Sequence, residues 1–126
     1  MQQPDIEIYV KGPTNEQIKD WLNEQFDGLE ERSASPKRQV YNATWQEASF
    51  EIMVLSKVQS GYSSIWFDSP SLPWANDKVC AQAALASLPQ DNLSVRCVAA
   101  SWQEGDAPDQ WLHLTTAGEE LVNWQA

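Results

Sequence analysis

Ile6-Glu7-Ile8-Tyr9-Val10-Lys11-Gly12-Pro13-Thr14-Asn15-Glu16-Gln17-Ile18 decides the fold class of this chain. Ile6, Ile8 and Val10 alternate with Glu7, Tyr9 and Lys11, the two-residue period of a strand with one face covered. Gly12-Pro13 stops that strand. Thr14-Asn15-Glu16-Gln17 then spells a capping box, in which a Thr hydroxyl and a Gln amide satisfy each other's backbone N–H groups at a helix start. The helix is expected to run to about Phe26, with Ile18, Trp21, Leu22 and Phe26 on one face. A strand and a helix in succession, each apolar on one side, must bury those sides against each other.

The rest of the chain extends this pattern. The polar stretch Asp27 to Lys37, with Gly28 and Pro36, reads as a flexible loop. Arg38 to Trp45 and Ala48 to Val58 read as strands joined by a Gln46-Glu47 turn. The second of these is apolar on both sides at its centre, which places it inside a sheet. Ser64 to Asp68 reads as a fourth strand, Trp74 to Ser87 as a second helix with a small-residue face (Val79, Cys80, Ala83, Ala84), and Leu93 to Trp102 and Gln110 to Thr115 as strands. Thr116-Ala117-Gly118-Glu119 resembles another capping box and predicts a last helix carrying Leu121, Val122 and Trp124. The expected order is β-α-β-β-β-α-β-β-α. The fold class is α+β, a two-layer sandwich of a mainly antiparallel sheet of about six strands with helices packed on one face. The sheet is mixed if the opening strand–helix unit sets one strand parallel.

The chain has 126 residues, a net charge of −10 and seven tryptophans. Its length suits one domain, residues 1–126, able to bury a core without metal or disulfide. Acids dominate both ends, whereas Lys37, Arg38 and Lys57 meet only Glu47 and Glu51 in the middle. Such a field repels nucleic acid and anionic membrane and favours basic partners. No run of about 18 apolar residues occurs, so no helical span is expected. The start Met1-Gln2-Gln3-Pro4-Asp5 lacks the features of a signal peptide, which points to a cytoplasmic protein with Cys80 and Cys97 reduced. Seven indoles exceed what one small core absorbs, so some are expected at a surface or interface, and a homodimer would be one way to cover them.

Two groups of residues are candidates for binding. Glu16, Asp20, Glu24 and Asp27 recur at helical spacing opposite the apolar face, a stripe of like charge that could dock a basic surface or simply be a solvated face. Trp102 and Trp111 bracket Glu104, Asp106 and Asp109 between the last two strands. Indole faces beside carboxylates suit lysine, arginine or an organic cation, although the same residues make an ordinary hairpin core and turn. Cys97 and His113, the only histidine, fall diagonally on one face in a simple hairpin register, where a thiolate and an imidazole would be a nucleophile and its base. Nothing orients the ring, however, and a strand cysteine usually serves as a small core hydrophobe. One His and two Cys do not complete a zinc site, and no phosphate-loop or dinucleotide motif occurs, so neither metal nor cofactor is expected.

These features favour binding over catalysis. The leading expectation is a protein-interaction module of inhibitor or immunity type that neutralises a basic partner. A binder of a cationic or aromatic small molecule through Trp and carboxylates is the alternative, and a small hydrolase the second alternative.

Overall fold

The computed structural model describes residues 6–59, 61–69, 72–89, 92–98 and 110–123. Among these, the element order is β1 (Ile6–Lys11), α1 (Asn15–Gln25), β2 (Gly28–Ala34), β3 (Arg38–Trp45), β4 (Ala48–Gln59), β5 (Tyr62–Asp68), α2 (Asp77–Ser87), β6 (Ser94–Val98), β7 (Gln110–Thr115) and β8 (Gly118–Asn123). The eight strands form one antiparallel sheet in the order β2-β3-β4-β5-β1-β6-β7-β8. The architecture is a mostly-sheet α+β fold.

The alternation of β1 sets its place. Ile6, Ile8 and Val10 are at most 1% exposed, and β1 is flanked by β5 and β6, with Ile8 opposite Ile65 and Val10 opposite Val95. The same face continues through Ile52 and Tyr41 on one side and through Leu114 on the other. Ile18, Trp21 and Leu22 of α1 and Cys80, Ala81 and Ala84 of α2 close over it in one cluster. At its centre is an aromatic knot. Trp21 stacks on Trp74 at 5.8 Å between centroids, Phe67 meets Trp74 edge-on at 5.2 Å, and Phe26 meets Phe50 edge-on at 5.3 Å. Offset and edge-on pairs of this kind add about 0.5–1.5 kcal/mol each beyond their buried area.

Thr14 caps α1 as its sequence requires: the Thr14 hydroxyl accepts from the Gln17 N–H at 3.1 Å and the Gln17 side chain accepts from the Thr14 N–H at 2.9 Å. The Gln46-Glu47 turn places both residues at positive φ, 50° and 70°, the mirror-image geometry that matches the twist of a two-residue hairpin.

Several expectations are corrected. The stretch expected to be a loop from Asp27 to Lys37 contains β2, an edge strand. Only Leu29 among its residues packs on the core, and pairing to β3 rather than an apolar pattern makes it a strand. The expected last helix is β8. Thr116-Ala117 turns the chain back, Gly118 sits at φ 140°, and Leu121 lies opposite Leu112. The described sheet therefore has eight strands rather than about six, with two helices rather than three. No parallel pair arises among the described strands, because β2 pairs at the far edge and not beside β1. The second helix begins at Asp77, where the Asn76 side chain accepts from the Val79 N–H at 3.0 Å, so Trp74 precedes it. Val79 faces outward, 39% exposed.

Candidate functional site

The helical acid stripe lies where its spacing places it. Glu16, Asp20 and Glu24 are exposed on α1, and Asp27 is exposed just beyond the helix end. Asp27 also has a structural task, since its Oδ2 accepts from the Gln46 N–H at 2.9 Å and ties the helix exit to the β3–β4 turn. The unexpected strand β2 brings two more exposed carboxylates, Glu30 and Glu31. Glu31 joins Glu16, Asp20 and Lys19 around a groove of about 370 Å³ floored by Tyr41. Burial, and then the charge of Glu31, push the Tyr41 hydroxyl pKa up. Lys19 reaches Glu31 at 3.6 Å and Arg32 reaches Glu30 at 3.9 Å. Both pairs are solvated and worth at most about 1 kcal/mol. Glu16, Asp20 and Glu31 thus share this groove with Lys19, whereas Glu30, one residue from Glu31 along β2, turns to the opposite face of the sheet with Arg32 beside it.

The second candidate group is divided. Trp102, Glu104, Asp106 and Asp109 lie outside the described residues. Trp111, on β7, is half-buried on the sheet face away from the helices, its ring edge-on to Tyr9 at 5.4 Å. Trp66 is half-buried on the same face. Trp21 and Trp74 are sealed in the core, 2% and 5% exposed.

The diagonal arrangement of Cys97 and His113 is overturned. Arg96 is opposite His113 and Cys97 opposite Leu112, so the thiol and the imidazole point to opposite faces of the sheet. Cys97 is fully buried. Burial, then the charge of Asp77, push its thiol pKa up to about 12. That is a core thiol, not a nucleophile. His113 Nδ1 accepts from Arg96 Nε at 3.0 Å. Partial burial and the Arg96 charge pull its pKa down.

A second region went unrecognised in the sequence. A cavity of about 750 Å³ opens where α1 begins, β3 begins, and β4 turns into β5. Lys37, Arg38 and Lys57 line it, and among the described residues no acid does. Lys11 borders it, packing where a side chain on Gly61 would stand. These four are half of the eight cations in the chain. They are spread over 47 positions of sequence, and only the topology gathers them; the available signal was the cationic middle segment.

Among the described residues, no group of three His, Cys, Asp or Glu could hold a metal ion, and no helix is long and apolar enough to cross a membrane. No protein-family model, curated protein or solved structure matches this chain.

Proposed function

We propose that the protein is a recognition module for a basic partner protein, of inhibitor or immunity type, and that α1 with β2 forms the docking face. The observation that carries this reading is the meeting of Glu31 from the edge strand with Glu16 and Asp20 from the helix around one groove. Like charges at helical spacing each cost a few tenths of a kcal/mol. Glu31 comes to the groove paired with Lys19, and Glu16 and Asp20 keep the groove net negative. Such a surface steers a cationic partner and gives fast, salt-sensitive association. The edge is poorly suited to strand addition, because Glu30, Glu31 and Arg32 project from β2 and a bulge between Glu31 and Ser33 breaks its register.

A photo-crosslinking residue at Asn23, exposed on α1, tests the face without removing an acid. In lysate of the source organism it is expected to yield an adduct with a basic protein that disappears as salt rises, while the same probe at Ala86 on α2 yields none. Identical adducts from both positions, or an adduct at Asn23 indifferent to salt, would overturn the reading.

A further inference from the structure

The cation-lined cavity has no part in docking a basic partner, and its chemistry is the reverse of that face. Lys37, Arg38 and Lys57 make no ion pair among the described residues, whereas Lys19, Arg32 and Lys78 each reach a carboxylate. In a chain with 18 acids and 8 cations, three unpaired cations around one cavity are unexpected from composition. Glu16, the nearest acid in sequence to the α1 start, lines the adjoining groove instead.

The backbone contributes as well. Asn15, at the cavity wall, opens α1, so the positive end of an 11-residue helix points there. The capping box occupies the Thr14 and Gln17 N–H groups, and the Ile18 N–H bonds the Thr14 carbonyl. The N–H groups of Asn15 and Glu16 are left with no acceptor among the described residues. Ser63, 6% exposed, lines the cavity too. Its Oγ accepts from the Lys57 N–H at 3.1 Å, and its own proton has no acceptor among the described residues. The α1 start is held in position from behind, with the Ser56 hydroxyl donating to Asn15 Oδ1 at 2.8 Å. The bulge in β4 between Leu55 and Gln59, with Lys57 at φ 50°, sets Lys57 on the wall; bulges commonly re-aim a side chain in this way.

We propose that this cavity binds a small organic phosphate monoester. Three cations, a buried hydroxyl donor and free helix-start amides match a dianion with three acceptor oxygens, the pairing that helix starts offer to phosphate. Leu55, Pro13 and Pro36 supply apolar wall for the organic part. The volume lies within the roughly 300–1,000 Å³ of small-molecule sites. The net negative charge of the protein does not forbid it, because solvated charges beyond about 8 Å are largely screened at physiological salt.

Amide NMR titration tests the proposal with three probes: phenyl phosphate, inorganic phosphate and benzoate. Phenyl phosphate is expected to shift the Asn15, Glu16, Lys37, Arg38 and Lys57 amides saturably, with affinity above that of the other two. The exposed-residue variants Arg38→Gln and Lys57→Gln are each expected to weaken it by about tenfold, and Lys78→Gln to leave it unchanged. No saturable shift at these amides overturns the proposal. Equal affinity for benzoate overturns the phosphate assignment, and equal affinity for inorganic phosphate overturns the monoester assignment.

Discussion

Trp21 fastens the acid-bearing helix to the sheet, and its indole presents a contest between two effects of similar size. It is 2% exposed, stacked on Trp74 and edge-on to Phe67 at 6.4 Å. Its Nε1–H is buried with no hydrogen-bond partner among the described residues. Trp21→Phe removes roughly 40 Å³ of side chain, which at about 24 cal/mol per Å³ of cavity costs about 1 kcal/mol. A weaker stack on Trp74 adds up to about 1 kcal/mol. Against this, the substitution removes an unsatisfied buried donor, a relief of about 1–3 kcal/mol. The two sides nearly cancel, so Trp21→Phe is expected to change stability by no more than about 1 kcal/mol. Trp21→Ala deletes the whole ring and is expected to cost about 3–5 kcal/mol. Urea unfolding followed by far-ultraviolet circular dichroism measures both, with an unchanged m-value as the check that the same surface is exposed. If Trp21→Phe costs as much as Trp21→Ala, the indole N–H has a strong partner and the reasoning fails.

Three further outcomes follow from the geometry. Gln46 and Glu47 hold left-handed backbone that Asn and Gly accept more readily, so Gln46→Asn with Glu47→Gly is expected to raise stability by about 1 kcal/mol in the same unfolding assay. Cys97, buried and with its thiol pushed up to about 12, is expected to react with maleimide only on unfolding; labelling of native protein at the rate of free cysteine would contradict its placement. His113, held neutral by burial and Arg96, has a folded pKa below its ordinary 6.5. Protonation therefore favours the unfolded chain. Stability is expected to fall as pH drops below about 6.5 toward the folded pKa, and to fall less in His113→Gln, as thermal melts across that range would show.

Where local chemistry and tertiary demand agreed, the sequence was sufficient. The alternation of β1 and the Thr14–Gln17 box were readable because each element carries its own signal. Gly28-Leu-Glu-Glu-Arg-Ser-Ala34 was not, because an edge strand facing solvent needs almost no apolar residues and exists through its partner. Thr116-Ala117-Gly118-Glu119 misled because the letters of a capping box also serve as a hairpin turn, and Leu121-Val122 is too short to separate the two periods. Asn76 carried a cap signal that the apolar Trp74 obscured. The helical acids were readable one turn at a time. Their meeting with Glu31, and the gathering of Lys37, Arg38 and Lys57, depend on strand order, which no local pattern encodes.

The acids of α1 and β2 are expected to act together on a cationic partner. With the partner captured at Asn23 in hand, stopped-flow association of wild type and of Glu16→Gln/Asp20→Asn/Glu31→Gln is the most direct measurement. The wild-type rate is expected to fall by about tenfold or more from low to physiological salt, and the neutralised variant to associate slowly at every salt concentration. Equal rates and equal salt dependence in the two proteins would contradict the account.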